Sequence, residues 1–423
     1  MALPFMQYKN RFKGGLDRKP LLFKILYVLI WLSCASCIDD KYIELLNPPG
    51  FIFSRPVGIN NKGDVIGVWF NRINRETSFL YRDGKYTRLL PPGWKWAEAL
   101  YINDNGEVAG NGYVDDTTSS KGFLYSNGQY TELLPPGWNW ATTNGLNDNG
   151  EVVGFGEDGT TIKLFLYSNG QYAEFLPPLP YFLHFRKPLD INNHGTVVGT
   201  LGYANDERRT AFIYKDGAYT ALLPPGSDNA SALHIDDNGV VLIQSGTGPD
   251  PDVLDKYYIY RDGEYIELRP PGLSYLRPTN FSDSGAIIGQ GSDGINPDIK
   301  FIYKDGEFAV LSPPGLRDIR YTAINDNGMV FGWGLDDRTQ NDKWFIFNGK
   351  DYTVSMPPQA LKSIKTNSTY KGFHRWYVIM GINNSEEIIG YVENYLYIPL
   401  GWPSPISGLR FTFKQRSFIA APY

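Results

Sequence analysis

The chain has 423 residues, of which 42% are hydrophobic and 15% aromatic, and its formal net charge is −5. This length allows a large core or several domains, and the negative charge gives no support for a nucleic-acid partner. The 45 glycines and 29 prolines are more than long helices tolerate; many short strands joined by turns have such a composition. Composition therefore predicts an all-β protein that does not bind nucleic acid.

The first 37 residues differ from the rest of the chain. A basic stretch is followed by the apolar run "LLFKILYVLIWL" at 21–32 and by small residues in "SCASC" at 33–37, which is the order of parts in a secretory signal. The apolar run is shorter than a membrane span of about 20 residues, and Lys24 interrupts it. We therefore predict a signal peptide at 1–37 and an exported mature domain at 38–423.

The only two cysteines, Cys34 and Cys37, lie in this leader, so the mature domain has no internal disulfide. The stretch "CASC" resembles a bacterial lipoprotein signal cut before Cys37, although Cys34 stands where such signals usually have Leu. The resemblance implies lipidation at Cys37, and ordinary cleavage after a small residue is the alternative. We expect the protein on the outer surface, in the periplasm or outside the cell, with a lipid anchor as its one contact with a membrane.

A short polar phrase recurs along the mature chain. It reads "INDNG" at 102–106 and at 324–328, and "LNDNG" at 146–150. Eight copies, mostly 43–46 residues apart, begin at Asn60, Asn103, Asn147, Asn192, Asp236, Ser282, Asn325 and Asn383. A β-like run such as "EVAG" at 107–110 follows each copy. Self-similarity at this period indicates a repeat architecture.

A second phrase follows the first seven copies, for example "FLYSNGQYTELLPPG" at 123–137. Apolar and polar residues alternate around a central Asp-Gly or Asn-Gly, which predicts a hairpin with a type I′ turn. These turns begin at Asp83, Asn127, Asn169, Asp216, Asp262, Asp305 and Asn348. The prolines that follow end the strand, because proline has no backbone donor. Each unit thus reads as a four-stranded meander, and such units at this period predict a β-propeller.

The two ends of the mature chain are complementary. The stretch "DKYIELLNPPG" at 40–50 is a fourth strand without a third, and "SFIA" at 417–420 is a third strand without a fourth. We infer that the N-terminal strand completes the last blade and closes the ring, which leaves no open sheet edge. The sequence therefore predicts a monomeric, eight-bladed β-propeller of four-stranded antiparallel blades in one domain.

These phrases resemble the HAF repeat, the unit of a family of probable extracellular repeats, over about residues 40–420. The resemblance rests on "INDNG" with its following β-run and on the "FLY" hairpin. It departs from the family in the name motif, since Thr210 and Ala211 precede Phe212 where the family has His-Ala. The resemblance implies export and a repeat architecture, and it implies no defined activity.

Turn geometry explains the Asn and Gly of the first phrase. The alternative is a calcium site, because Asn and Asp oxygens are hard ligands. Each turn is too short for a twelve-residue calcium loop that ends in a bidentate Glu. We therefore predict no metal and no cofactor.

The connections from strand two to strand three and from blade to blade vary in length, and they lie on the face opposite the tight turns. Variable loops on a rigid scaffold usually carry binding. The candidate ligand-binding residues there are Trp94, Trp96, Trp138, Trp140, Tyr181, His184, Arg186, Tyr275, Arg277, His374, Arg375 and Trp376. Aromatic faces beside loop acids such as Asp342 suit sugar rings, and they also suit a protein partner. Alternatively, the Trp residues pack between blades and the acids form a solvated rim.

An enzyme is the second hypothesis, a carbohydrate-active hydrolase or lyase on the same scaffold. The four His residues are scattered, and no nucleophile or metalloprotease motif is present. Converging acids with raised pKa values in the central pocket would favour the enzyme, whereas exposed aromatics without such acids would favour binding. A purely structural surface protein is the third hypothesis. We predict a glycan- or protein-binding protein without catalytic residues.

Overall fold

The computed structural model describes residues 41–45, 51–71, 76–115, 119–175, 181–183, 190–203, 206–247, 256–355, 373–399 and 408–421. Residues Tyr42–Pro422 form one compact unit. The predicted signal peptide and Cys37 lie outside the described residues, so cleavage and lipidation stay predictions. In the described ranges no helix is long and apolar enough to cross a membrane.

The described strands form eight antiparallel sheets, which we call blades one to eight. Blade one contains β2 (Phe51–Ile59), β3 (Val65–Asn71), β4 (Glu76–Arg82) and β5 (Lys85–Leu89). Blade two contains β6 (Trp96–Ile102), β7 (Val108–Tyr113), β8 (Lys121–Ser126) and β9 (Gln129–Leu133). Blade three contains β10 (Trp140–Leu146), β11 (Val152–Glu157), β12 (Ile162–Ser168) and β13 (Gln171–Phe175). Blade four contains β14 (Tyr181–Leu183), β15 (Asp190–Ile191), β16 (Val197–Tyr203), β17 (Asp206–Lys215) and β18 (Ala218–Leu222).

The second half of the ring repeats this pattern. Blade five contains β19 (Asn229–Ile235), β20 (Val241–Gly246), β21 (Lys256–Arg261) and β22 (Glu264–Glu267). Blade six contains β23 (Tyr275–Phe281), β24 (Ile287–Ser292), β25 (Ile299–Lys304) and β26 (Glu307–Val310). Blade seven contains β27 (Leu316–Ile324), β28 (Val330–Asp336), β29 (Asp342–Phe347) and β30 (Tyr352–Ser355). Blade eight contains β31 (Phe373–Ile382), β32 (Ile388–Pro399), β33 (Gly408–Ala421) and β1 (Lys41–Leu45).

Blade eight joins the two ends of the chain. Its strand order is β31-β32-β33-β1, so the N-terminal strand is the outer strand of the last blade. Across the seam to blade one, Ser54 Oγ donates to the Leu45 carbonyl at 3.2 Å. The prediction of an eight-bladed propeller closed by its N-terminal strand is confirmed.

The hydrophobic core lies between the blades. Each of eight buried clusters contains residues of two neighbouring blades, as the seam shows, where Leu45 and Ile419 of blade eight meet Val65 and Phe79 of blade one. Alternation along each strand sends successive side chains to the two neighbouring interfaces. Each blade is therefore held by both its neighbours.

The hairpins between strands three and four differ from the prediction at one position. Six of the seven turns have positive φ at both the Asp or Asn and the following Gly, as a type I′ turn requires. Asn348 is the exception, and the prediction of a type I′ turn there was wrong. Phe347 pairs with Tyr352 as Tyr125 pairs with Tyr130, but Asn348 stands one residue earlier in the loop than Asn127. Asn348 Oδ1 instead accepts the N–H of Asp351 at 2.8 Å.

Candidate functional sites

The first phrase joins each turn to the next blade. Asn147 Oδ1 accepts the N–H of Asn149 at 3.1 Å and of Glu151 at 2.9 Å, which closes its own turn. Asn147 Nδ2 donates to the carbonyl of Asn192 in the next blade at 2.9 Å. We call the set of Asn residues that make this interblade bond the amide ladder; its members are Asn60, Asn103, Asn147, Asn192, Asn325 and Asn383. The phrase therefore supplies a turn and also a link between blades.

The next residue of each phrase lines a polar basin of about 620 Å³ on the propeller axis, which we call the central basin. Its wall consists of Asn61, Asp104, Asp148, Asn193, Asp237, Asp283, Asp326 and Asn384. Its floor consists of apolar residues that include Ile59, Leu146 and Ile324. In the described part of the chain, no group of three or more His, Cys, Asp or Glu residues is arranged to hold a metal ion.

Most wall residues are bonded to their neighbours by the side chain. Asp104 Oδ1, for example, accepts the N–H of Asn61 at 2.8 Å, and Asp104 Oδ2 accepts its Nδ2–H at 2.7 Å. Asp283 differs, because its backbone carbonyl, not its carboxylate, accepts the N–H of Asp237 at 3.0 Å. The Asp283 carboxylate is 64% exposed but lies in a concave basin, where partial burial and the charges of Asp326 and other carboxylates raise its pKa to about 7.

His234 lies beside the central basin, between carboxylates of two other blades. Its Nδ1 is 2.8 Å from Asp190 Oδ2, and its Nε2 is 3.8 Å from Asp283 Oδ1. Its ring stacks on Phe281 with 5.6 Å between the ring centres. Burial lowers the pKa of His234, but the hydrogen bond to Asp190 and the charges of Asp190 and Asp283 together raise that pKa above its ordinary value.

A second cavity, of about 840 Å³, lies on the opposite side of the disc, where the variable connections run. Residues of blades six and seven line this cavity, which we call the blade 6–7 cleft: Thr279, Gly289, Gln290, Asp298, Lys300, Asp318, Ile319, Arg320, Tyr321, Thr322, Trp333, Leu335 and Asp342. Asp298 stands in the connection that precedes β25, and Asp342 begins β29. Both positions belong to the loop-rich face, because strand three starts there in every blade.

The side chains that line the cleft hold one another in place. Lys300 is only 13% exposed; it bonds to Asp298, and its Nζ donates to Gln290 Oε1 at 3.0 Å. The guanidinium carbon of Arg320 lies 5.5 Å from the centre of the Trp333 ring, a cation–π contact. The cleft therefore presents donors, acceptors and aromatic surface in fixed positions.

The predicted ligand-binding Trp residues fall into two groups. Trp94 and Trp138 are 8% and 6% exposed and belong to the cores between blades. Trp96 and Trp140 are partly exposed at the starts of β6 and β10. The Trp96 ring stacks on Tyr113 at 5.3 Å. The buried pair matches the alternative that these Trp residues pack between blades, and the other pair keeps accessible surface.

The remaining predicted residues are spread around the ring. Tyr275 and Arg277 are exposed on β23, next to the blade 6–7 cleft, since Arg277 pairs with the cleft residue Gln290. Tyr181 forms part of β14, and His184 and Arg186 lie outside the described residues. His374, Arg375 and Trp376 were expected at the end of a loop, but they lie in β31, which is long because it pairs with the extended β32.

Sequence reasoning missed most residues of both cavities, with Asp342 as an exception. The signal that could have found them is departure from the repeat. Lys300 precedes Phe301, and the matching positions in the other blades are uncharged: Ser78, Gly122, Leu164, Ala211, Tyr257, Trp344 and Ser417. Likewise Asp190 and His234 occupy a position that is Gly in three blades and Ala in a fourth.

The comparisons with known proteins concern the fold. No protein-family model and no curated protein matches the sequence, so membership of the HAF-repeat family stays a prediction. Among solved structures, the chain is similar to a catalytically inactive virginiamycin B lyase from Staphylococcus aureus with quinupristin, with 14% identity and a TM-score of 0.38, over 75% of this chain and 100% of that chain.

A second similar structure is prolyl oligopeptidase B from Galerina marginata bound to a 35mer hydrolysis and macrocyclization substrate. The identity is 8% and the TM-score 0.45, over 82% of this chain and 55% of that chain. Similarity at this level says nothing about the activity of the present chain.

Proposed function

We propose that this protein is an exported binding protein that holds a glycan on the loop-rich face of its propeller. The observation that carries the proposal is the blade 6–7 cleft. Its volume of about 840 Å³ lies within the roughly 300–1,000 Å³ of ordinary ligand pockets. Its lining combines Trp333 and Tyr321 with amide, hydroxyl and charged groups.

The charges of the cleft favour a neutral ligand. Lys300 is paired with Asp298, and Asp318 is paired with Arg317 just outside the cleft. The lining itself has two cations, Lys300 and Arg320, and the three acids Asp298, Asp318 and Asp342. When Arg317 is counted with its partner Asp318, the charges sum to zero. A polyanion or polycation gains little from such a site, whereas the hydroxyl groups of a neutral sugar find both donors and acceptors.

The proposal is tested with a glycan array and residues 38–423. Lys300→Met removes the ammonium donor and Trp333→Leu removes the indole, and Asn127→Gly, in a tight turn of the opposite face, is the matched control. We expect wild type and control to bind neutral oligosaccharides. Lys300→Met should bind at least about tenfold more weakly, the effect of losing one charge-assisted hydrogen bond. Trp333→Leu should also bind more weakly, because the aromatic face for the sugar ring is lost. Circular dichroism checks that each variant is folded.

Two outcomes would contradict the proposal. If folded wild-type protein binds no glycan, the loop-rich face is better explained by a protein partner, for which aromatic and Arg residues are the usual anchors. If the cleft variants bind sugar as well as wild type, the site lies instead near Trp96, Trp140 and Tyr275.

A carbohydrate-active hydrolase or lyase is the second candidate, and Asp283 is the observation that favours it. An accessible carboxyl whose pKa is raised to about 7 is suited to general acid catalysis at neutral pH. Its neighbour Asp326, whose Oδ1 accepts the Asp283 N–H at 2.9 Å, would be the second carboxylate of a pair. The array sugars, incubated with the protein and analysed for cleavage products, test this candidate, and Asp283→Asn should abolish any cleavage.

A further inference from the structure

The amide ladder is interrupted between blades five and seven. Asp236 and Ser282 stand where six other blades have Asn. Asp236 Oδ1 still accepts the N–H of Val240 at 2.7 Å and so closes its own turn. A carboxylate cannot donate, however, so Asp236 cannot reach across to the Ser282 carbonyl as Asn147 reaches to Asn192. A cavity of about 20 Å³ lies here, lined by His234, Asp236 and Ser282 together with apolar residues such as Val240 and Ile287.

His234 departs from the repeat in the same blade. It stands two residues before Asp236, at the position that is Gly58, Gly145 and Gly381 in blades one, three and eight. From this position in blade five, it bonds to Asp190 of blade four and faces both the Ser282 backbone and the Asp283 carboxylate of blade six. The side chain therefore touches three consecutive blades.

Hydrogen-bond acceptors face both ring nitrogens of His234. The Asp190 carboxylate, which also accepts the Ile235 N–H at 3.0 Å, faces Nδ1. Nε2 is buried; it faces the Ser282 backbone without a hydrogen bond of ordinary geometry, and the Asp283 carboxylate lies 3.8 Å away. Asp237 of the same turn and Asp326 of blade seven add further negative charge around Asp283. Neutral imidazole has one N–H, which Asp190 takes, and Nε2 would then present a lone pair to acceptors.

We propose that His234 is a proton-dependent clasp: when protonated it ties blade five to blades four and six in place of the amide that Asp236 lacks. When the proton is lost, the tie to blade six is lost with it. The proposal is independent of the glycan site, which lies on the opposite face. Its ligand is the proton alone, so it can be tested without a known partner.

Protonation of His234 and protonation of Asp283 both stabilise the folded state. The pKa of His234 is raised above its ordinary value, and the pKa of Asp283 is raised to about 7. The folded state therefore holds more protons near neutrality than the unfolded chain, and stability falls as the pH rises through this range. The contribution of His234 is fully present below the ordinary pKa of a histidine, because the carbonyl oxygen of a protonated Asp283 carboxyl can still accept the Nε2–H, and it is lost above the folded pKa of His234.

The first test is NMR titration of the imidazole groups in residues 38–423. The His234 signal is assigned by replacing each of the other three His residues with Gln. We expect His234 to titrate above the ordinary value of about 6.5, and Asp283→Asn to lower that midpoint. A midpoint at or below the ordinary value in wild-type protein would overturn the proposal, even if every His234 variant failed to fold.

The second test is urea unfolding of wild type and His234→Gln at about pH 5.5 and about pH 8.5, on either side of the His234 titration. We expect the urea midpoint of His234→Gln to lie below that of wild type at the lower pH and to approach it at the higher pH. Asp236→Asn restores the consensus amide and should shrink the difference between His and Gln at position 234. A difference that is independent of pH, or unchanged by Asp236→Asn, would assign His234 a packing role only.

Discussion

At the scale of single residues, steric fit explains why the same residue types recur in the repeat. The glycine of strand two lies opposite the aromatic residue of strand three, as Gly110 does with Phe123. A Cβ atom at Gly110 would lie 2.0 Å from the carbonyl oxygen of Glu98 and 2.8 Å from the Phe123 ring. Seven blades keep this Gly–Phe pair, and blade five has Ile243 opposite Tyr258. This glycine is present because strand and ring approach closely.

We predict that Gly110→Ala destabilises the protein by about 1–3 kcal/mol or more, because the added methyl group overpacks a core that cannot expand. Gly58→Ala is the control, since a Cβ there meets nothing nearer than 3.4 Å and the backbone conformation is ordinary. Urea unfolding of both variants measures the difference. Equal losses would show that the close approach at Gly110 does not determine the choice of glycine.

The buried Trp residues are explained by the same kind of fit. A Cβ at Gly112 would lie 2.7 Å from the Trp94 ring, and a Cβ at Gly156 would lie 2.7 Å from the Trp138 ring. Each of these two indoles thus fills the space above a glycine of strand two. In blade one, Trp69 stands at the strand-two position of these glycines, and its ring packs against Phe51 with 5.6 Å between the ring centres.

At the scale of the elements, the turn between strands one and two is the link between blades. Its first Asn satisfies two N–H groups of its own turn and one carbonyl of the next blade, as Asn147 does. Its third residue contributes less, since Asn149 is exposed and makes one such bond, to the Asn193 carbonyl at 2.7 Å. The stability lost when an amide side chain is removed therefore depends on how deeply that side chain is buried.

We predict that Asn147→Ala costs about 1–3 kcal/mol or more, because buried backbone groups lose their partner and water cannot replace it. Asn149→Ala should cost less than about 1 kcal/mol, because water reaches the freed carbonyl. Urea unfolding at constant pH compares the two variants. If both variants lose the same free energy of unfolding, the amide ladder does not stabilise the ring.

At the scale of the whole molecule, closure by the N-terminal strand makes the ring continuous. Leu45 of β1 is 2% exposed and packs in the cluster between blades eight and one. Leu133 of β9 occupies the matching position in blade two and is 0% exposed. The first described strand of the chain is therefore part of the core, although it lies far in sequence from the blade it completes.

We predict that Leu45→Ala and Leu133→Ala each destabilise the protein by about 2–5 kcal/mol, the usual cost of a cavity at a buried Leu. Thermal and urea unfolding of the two variants test the equivalence of the two positions. A Leu45 variant as stable as wild type would mean that the N-terminal strand does not close the ring.

The sequence by itself determined the number of blades, their strand order and their closure, because these depend on local patterns. Alternation defines the strands, Asp-Gly and Asn-Gly define the hairpins, and the unpaired ends of the chain define the seam. The one wrong turn, at Asn348, arose because a shift of one residue in a four-residue loop leaves the Asn-Gly pair unchanged in the sequence.

Only the tertiary structure decided where the cavities lie and which side chains meet in them. Asp190, His234 and Asp283 are separated by more than 40 residues from one to the next, and the packing of three consecutive blades brings them together. The blade 6–7 cleft likewise joins residues of two blades, and the burial of Trp94 depends on a glycine in the neighbouring strand. Such contacts depend on how closely neighbouring blades pack, and a local repeat pattern does not specify that packing at the level of single side chains.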